Sequence, residues 1–407
     1  MRLRRELGFW NSVSMALGAM IGGGIFVLSG IGAGIAGPSV LIAFAIAGLL
    51  ALFNGLSTAE LGAAIPKSGA TYEYARELIS PFTGFFAGWI FIVSKILEAA
   101  TVALAFGSYL FLIAQIFNES FLAIFISLVL TAIIYFGIKI TSEVNNVFVL
   151  IKLAVLSLFV VFGINFVNIN NYTPFFATDT YNLLQVAGLL FFAYTGYARI
   201  SSIGEEIKDP KKNIPRATLI ALLISFVLYM LVTAIAIGMV GSSSLGSTNS
   251  PIAFAASITG NFYLTLIVTF GALIATLNVV FSDILAVSRT VFAMSRNKDL
   301  PNFLCHVDRR GSPTFAVIIA GLIVTFLALI SNIKTLALFT SLTILIYYAV
   351  TNFTALKLDK KERKYPKIIS VLGLVGCILL VLFMPLREWI LTLIVITVGI
   401  LYFKFKK

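Results

Sequence analysis

Two features of the sequence, a lysine and a run of glycines, are energetically unfavourable within the apolar segments that contain them. Both could bind a ligand or a proton. Lys152 lies within "VFVLIKLAVLSLF", in an apolar segment over residues 142–166. An ionisable group at membrane depth is a candidate functional residue, because hydrocarbon solvates a charge poorly. A buried lysine amine can gain and lose a proton, and it can also act as a permanently charged strut. The sequence leaves both roles open.

A run of three glycines interrupts the first apolar segment. Gly22, Gly23 and Gly24 lie in "GAMIGGGIF" (residues 18–26), and a glycine costs a helix about 1 kcal/mol relative to alanine. One interpretation is close helix packing, since Gly18 and Gly22 form a GxxxG pair. The other is a helix break whose free N–H groups bind an anionic group such as a carboxylate. Irregular backbone is tolerated at membrane depth where it lines a cavity.

Four more charged residues lie within apolar segments: Lys95, Glu98, Arg199 and Asp283. Lys95 and Glu98 are three residues apart, so they can pair along one helix. Arg199 could form a buried pair with Asp283 or with Glu98. These four residues are therefore a candidate charge network, and structural pairing, a proton relay and recognition of a substrate side chain all stay open.

Other chemistries find little support in the sequence. "GAGIAG" (residues 32–37) matches a dinucleotide fingerprint, but that motif requires a strand before it and a helix after it. His306 is the single histidine, and with Cys305 beside it there is no metal-ligand spacing. No nucleophile with a base and an orienting group is readable. We therefore expect no enzyme, no metal site and no organic cofactor.

The composition indicates a membrane protein made of helices. The chain has 407 residues, of which 59% are hydrophobic and 11% are charged, whereas a soluble domain carries about 25% charged residues. A membrane-spanning helix needs about 20 apolar residues. The pattern predicts an all-α polytopic protein with twelve transmembrane helices. They are expected at about 9–36, 38–63, 82–113, 118–138, 142–166, 181–207, 216–241, 262–297, 314–331, 333–356, 366–384 and 386–404.

The net charge of +12 has an uneven distribution that predicts topology. Among loop residues, Lys334 and Arg387 lie on one side of the predicted spans. Nearly all other basic residues lie on the opposite side, as in "KDPKKNIPR" (208–216) and "KLDKKERKYPK" (357–367). Cytoplasmic loops are enriched in Lys and Arg, so we expect a multi-pass protein of the cell membrane with both termini in the cytoplasm. The basic residues then face lipid and cytoplasm, and no nucleic acid partner is expected.

A second break is predicted in the sixth segment, "LLFFAYTGYARISS" (residues 189–202), at Thr195–Gly196. Disturbed helices at the start of each of two halves point to a transporter built from inverted repeats. The predicted core covers residues 1–357, with repeats at about 9–166 and 181–356, and residues 358–407 supply two peripheral helices. Short interfacial helices are expected at 68–79 and 250–258, and the stretch 241–250 is expected to be a flexible link.

Several of these motifs together resemble the amino acid–polyamine–organocation (APC) superfamily of transporters. The resemblance is carried by "GAMIGGGIF", "GWIFIVSKILEAATVALAFGSYL", "FFAYTGY", "EEIKDPKKNIPRA" and "SRTVFAMSRNKDLPNF", which occur in order along nearly the whole chain. It implies a LeuT-type fold, with two inverted five-helix repeats, two peripheral helices, and helices 1 and 6 unwound in mid-membrane.

The resemblance implies that an amino acid binds between the two breaks. The N–H groups of Gly22–Gly24 would hold its carboxylate, and carbonyls of both breaks would take its amino group. Phe192 stands where relatives have an aromatic gate, although Phe191 and Phe192 could instead face lipid. The implied substrate-binding residues are Met20, Ile21, Gly22, Gly23, Gly24, Ile25, Phe191, Phe192, Ala193, Tyr194 and Thr195.

The resemblance also gives Lys152 a role. In proton-coupled prokaryotic members of the superfamily, a lysine at this position fills the space that sodium occupies in sodium-coupled relatives. It would reach the first helix near Gly18 and the eighth near Ala275–Thr276, where Thr276 or Asn278 could be its partner. Protons are thus the expected coupling ion, and sodium is not expected.

The expected function is secondary active transport of an amino acid, coupled to protons through Lys152. An exchanger of amino acids or polyamines that needs no ion is an alternative, and a membrane sensor or transporter subunit is another. The residue at position 198 is alanine, where relatives that carry cationic substrates can have an acidic residue, and this argues mildly against a polyamine. The loop "LIAQIFNES" (residues 112–120) has no cysteine, so no covalently linked heavy subunit is expected.

Overall fold

The protein is built mainly from helices in the part of the chain that its computed structural model describes, residues 6–66, 69–115, 117–137, 141–202, 204–308 and 313–406. Within those residues the β-type pairing is limited to a single parallel bridge between Leu7 and Ile207. The helices are α1 Phe9–Met20, α2 Ser29–Ala36, α3 Val40–Ala64, α4 Thr71–Leu78, α5 Pro81–Phe111, α6 Glu119–Tyr135, α7 Ser142–Gly163, α8 Thr180–Phe191, α9 Ala198–Ser202, α10 Pro210–Val240, α11 Ser242–Gly246, α12 Pro251–Ser257, α13 Phe262–Arg296, α14 Thr314–Ile330, α15 Ile333–Ala355, α16 Lys367–Leu382 and α17 Leu386–Phe405.

The helices confirm a polytopic membrane protein. Eight stretches of the described chain are long and apolar enough to cross a membrane, and the first of them, Phe9–Ala64, has 56 residues and covers two of the predicted spans. The helices α6, α14 and α16 are apolar but shorter. A helix therefore lies at each predicted range, while the count of twelve crossings stays a prediction.

Local sequence signals fix where the helices that carry the ionisable residues begin. Ser80 caps α5 by accepting a hydrogen bond from the Thr83 N–H at 3.1 Å, and Pro81 occupies the first turn. Thr141 caps α7 by accepting from the Val144 N–H. Such caps satisfy N–H groups that the first helical turn leaves free. The α7 cap places Lys152 roughly 15 Å along its helix.

The centre of the molecule is α5. Its most apolar window is 89% buried inside the protein, compared with 17% for α17. It packs against α13 and α15, and α3 packs against α10. Lys95 and Glu98 lie on α5 and are buried. These charged side chains therefore face other helices and not lipid.

Both segments predicted to be interfacial helices contain a helix, and the predicted flexible link is wrong. Thr71–Leu78 (α4) and Pro251–Ser257 (α12) are helical. Within the stretch 241–250, Ser242–Gly246 forms α11. The reason is a tertiary contact: a Cβ at Gly34 would lie 2.9 Å from Gly246 Cα. Two glycines let the α11 backbone dock on α2, which a serine-rich sequence does not reveal.

Candidate functional site

The first break lies between α1 and α2. The α1 helix ends at Met20, and Ile21 leaves the helical region with φ −79° and ψ 95°. A π-helical turn over Gly24–Leu28 then leads into α2. The regular α-helix is therefore interrupted next to the glycine run, in a region where every residue from Met20 to Gly30 is buried.

The second break is a change from α-helix to 3₁₀ helix and not an unwound segment. After α8, residues Phe192–Tyr197 form a 3₁₀ helix that leads into α9. The expectation of two unwound helices is therefore corrected here, because the turn remains wound. Backbone groups at membrane depth need partners, and the 3₁₀ turn supplies them. The Thr195 hydroxyl adds a bond to Phe192 O at 3.0 Å.

The two breaks pack directly on each other. A methyl group at Gly24 would lie 2.6 Å from Ala193 Cα, and one at Gly196 would lie 2.7 Å from Met20 Cγ. Tyr229 of α10 joins them, since its hydroxyl lies 2.7 Å from Met20 O and 3.1 Å from Ala193 O. One hydroxyl proton is thus shared between two carbonyls, one from each break.

Neighbouring helices cover the glycine run. A Cβ at Gly22 would meet the Val279 side chain, and one at Gly23 would lie 2.8 Å from Val102 Cγ2. Close packing is therefore one role of these glycines. Binding of a carboxylate by their N–H groups stays a prediction.

The remaining residues of the predicted substrate site are buried around the two breaks. Phe191 is 0% exposed and Phe192 is 4% exposed, so the alternative in which both rings face lipid is wrong. The Phe191 ring packs edge-on against Tyr348 at 5.5 Å, and the Tyr348 hydroxyl donates to Thr195 O at 3.1 Å. Ile21, Ile25 and Tyr194 are also buried.

The Lys152 ammonium is fully buried and contacts the first helix. Its Nζ donates to Gly18 O at 2.8 Å. The Asn278 amide also donates to Gly18 O, at 3.3 Å, and to Asn145 Oδ1 at 3.3 Å. Asn145 in turn donates to Ser14 O at 3.0 Å. In the described residues no carboxylate lies within ion-pair distance of Lys152, so the amine contacts the Gly18 carbonyl, which Asn278 of α13 also contacts, without a counter-charge.

Thr276 does not take part in this network. Its hydroxyl donates to Ala272 O at 2.7 Å and to Leu273 O at 3.1 Å, both on its own helix. Asn278, two residues on, reaches Gly18 instead. Sequence reasoning named Asn278 but missed Asn145. The available signal was the position of Asn145 seven residues, or two turns, before Lys152 on one face of α7.

The predicted charge network forms around Lys95. Lys95 Nζ lies 2.6 Å from Glu98 Oε2 and 3.2 Å from Asp283 Oδ1. All three side chains are buried. Arg199 lies near enough to Asp283 to interact electrostatically. Asp283 Oδ2 is buried and accepts no hydrogen bond from the described residues.

Two comparisons with known proteins bear on this arrangement. The sequence model described as amino acid permease matches residues 11–407. An uncharacterised transporter of Mycobacterium tuberculosis is 36% identical over 401 residues, which cover 98% of this chain and 90% of that protein.

Two proteins of Bacillus subtilis are similar over the whole chain. Its branched-chain amino acid permease is 28% identical over 437 residues, with 100% of this chain and 94% of the relative covered. Its methylthioribose transporter is 29% identical over 434 residues, with the same coverage.

Proposed function

Because the chain belongs to the amino acid permease family, we propose that it moves an amino acid across the cell membrane by proton-coupled, sodium-independent alternating access. The observation that carries the coupling is the contact between Lys152 Nζ and Gly18 O. It joins an ionisable group to the helix that breaks three residues later. Protonation of that amine would then change how firmly α7 holds α1.

The amino acid would bind where the two breaks meet. Its carboxylate would take the N–H groups of the glycine run, Gly22–Gly24. Its ammonium group, with three donors, would take the carbonyls of Met20 and Ala193, which in this structure share the single proton of Tyr229. The name of the branched-chain permease of Bacillus subtilis supports an amino acid as the class of substrate.

The absence of a carboxylate near Lys152 in the described residues supports proton coupling over a permanent strut. A buried charge without a counter-ion is expensive, so the neutral amine is an accessible state. The ammonium at Gly18 O also competes with any metal cation for the same carbonyl, which supports sodium independence.

The remaining features of the proposal concern architecture. We propose twelve crossings in a LeuT-type arrangement, with both termini in the cytoplasm and no covalently linked heavy subunit. A helix at each predicted range and the peripheral position of α17, of which the most apolar window is 17% buried, support it. The spans containing α1–α2, α3, α8–α9 and α10 would rock against those containing α5–α7 and α13–α15.

The test is uptake by Lys152→Ala in proteoliposomes. We expect the variant to bind substrate with an affinity within about threefold of wild type, and to lose the acceleration that an inward proton gradient gives. Lys334→Ala, which removes an exposed lysine, is the matched control and should behave as wild type.

The outcomes separate the alternatives. Normal gradient-driven uptake by Lys152→Ala would overturn the coupling role of Lys152. Counterflow that ignores the proton gradient in wild type would favour an ion-independent exchanger. Purified protein that binds an amino acid and never transports it would favour a sensor or subunit.

A further inference from the structure

The buried charge cluster of Lys95, Glu98 and Asp283 lies close to the first break. Glu98 precedes Val102 by four residues on α5, and Asp283 follows Val279 by four residues on α13. These two valines are the side chains that pack on the glycine run. Residues four apart share a helix face and are about one turn, ~5.4 Å, from each other. Both carboxylates therefore lie on helix faces directed towards the break.

The same cluster adjoins the second break. Glu98 interacts electrostatically with Tyr348, whose hydroxyl donates to Thr195 O. The two carboxylates are brought together by Lys95, whose Nζ lies 2.6 Å from Glu98 Oε2 and 3.2 Å from Asp283 Oδ1.

One carboxylate oxygen of the cluster, Asp283 Oδ2, has no hydrogen-bond donor among the described residues. Lys95 is shared between two carboxylates, so each carboxylate has only part of one ammonium group as its partner. Asp283 is 4% exposed, and its Oδ2 accepts no hydrogen bond within the described chain, even with the positive charge of Arg199 nearby. A buried carboxylate oxygen without a donor is costly. A ligand that brings a charged N–H group to this oxygen would remove that cost.

We propose that this charge cluster selects amino acids with a cationic side chain, whose terminal ammonium or guanidinium group donates to Asp283 Oδ2. The inference rests on the proposed function, because the α-carboxylate and α-amino groups would occupy the two breaks. A lysine or arginine side chain then extends from the breaks towards a cluster about one helical turn away. A polyamine would reach the cluster but lacks the carboxylate for the glycine run.

The experiment compares matched pairs of ligands on the full-length protein in detergent. Isothermal titration at one pH would measure the dissociation constants of lysine against norleucine, and of arginine against citrulline. Norleucine is lysine without its terminal ammonium group, and citrulline is the neutral isostere of arginine, so each pair differs in the charge at the end of the side chain. Because charge-assisted hydrogen bonds are the stronger ones, we expect the cationic member to bind at least about tenfold more tightly.

Two variants locate the effect. Asp283→Asn and Glu98→Gln keep the shape of the side chains, and each should reduce the preference for lysine to under about threefold while norleucine binding changes little. Glu388→Gln is the matched control, because Glu388 is also a buried carboxylate with an unpartnered Oε2 but lies on the peripheral α17. It should keep the full preference.

Each outcome has one meaning. Equal affinity for lysine and norleucine in wild type would overturn the selection by charge and leave amino acid transport standing. A preference that survives in both Asp283→Asn and Glu98→Gln would overturn the role of this cluster. Failure to bind any amino acid would overturn the proposed function together with the inference.

Discussion

Backbone atoms make the closest contacts between the two breaks. Gly24 faces the backbone of Ala193, and Gly196 faces that of Met20. Such contacts leave no room for a methyl group, because backbone atoms cannot rotate away as a flexible side chain can. At the residue scale, the glycines therefore determine how closely the two breaks approach.

Gly24→Ala should abolish uptake and lower stability. The new Cβ would lie 2.6 Å from Ala193 Cα and Cβ, and overpacking of this kind costs about 1–3 kcal/mol. Thermal unfolding in detergent and uptake by proteoliposomes measure the two effects. Gly8→Ala is the control, since nothing lies within 4 Å of a Cβ there. Wild-type uptake by Gly24→Ala would contradict the close packing of the breaks.

Single residues also show what the sequence could predict. The depth of Lys152 could be predicted by counting residues from the start of its apolar segment, because an α-helix rises by a fixed distance per residue. The hydrogen bonds from Tyr229 to Met20 and from Asn145 to Ser14 could not be predicted, since the bonded residues lie 209 and 131 residues apart in the chain. Only the packing of helices brings such pairs together.

At the scale of elements, α4 is fastened to the end of α13. Asp299 accepts hydrogen bonds from Tyr72 at 2.8 Å and from Arg76 at 2.5 Å, and it also pairs with Lys406. The Asn297 amide donates to the Tyr72 hydroxyl at 2.8 Å. Three segments of the chain, α4, the end of α13 and the end of α17, thus meet at one buried carboxylate.

Tyr72→Phe should destabilise the protein by about 1–3 kcal/mol, because it leaves Asp299 and Asn297 short of a partner. Burial raises the pKa of Tyr72 above its usual value of 10, and the Asp299 carboxylate adds to this effect. A raised pKa in the folded state contributes stability that is complete below the unfolded pKa and is lost as the pH rises through the folded pKa. The loss on substitution should therefore be equal at pH 7 and pH 9.

Thermal unfolding of wild type and Tyr72→Phe at both pH values measures this. Tyr263→Phe, at an exposed position, should change stability little at either pH. If the difference in stability between wild type and Tyr72→Phe is smaller at pH 9 than at pH 7, then the Tyr72 hydroxyl ionises in the folded protein below its usual pKa, and the contact with Asp299 does not raise that pKa.

Elements were predicted with uneven success for a physical reason. The long apolar helices and the amphipathic α4 follow from composition and periodicity along one segment. The 3₁₀ turn after α8 and the helical α11 do not, because each depends on what packs against it. The wound second break keeps backbone groups paired in an apolar interior, and α11 rests on the glycine contact with α2.

At the scale of the whole molecule, the two cysteines report topology. Cys377 is buried and Cys305 is partly exposed, in the segment that follows α13. If the termini are cytoplasmic, that segment is cytoplasmic as well. A membrane-impermeant maleimide should then label permeabilised cells and leave intact cells unlabelled. Cys305→Ser should remove the signal, and labelling of intact cells would contradict the proposed orientation.

The hydroxyl of Tyr229 has a consequence for the transport cycle. It bridges the first break, the second break and α10, so in the proposed rocking motion the backbone groups proposed to hold an amino acid would keep their mutual geometry while the surrounding helices part. The same carbonyls and N–H groups would then receive the substrate from either side of the membrane. Any difference in substrate affinity between the inward-open and outward-open states would then have to arise in α5 and α13, which would stay in place in the proposed motion.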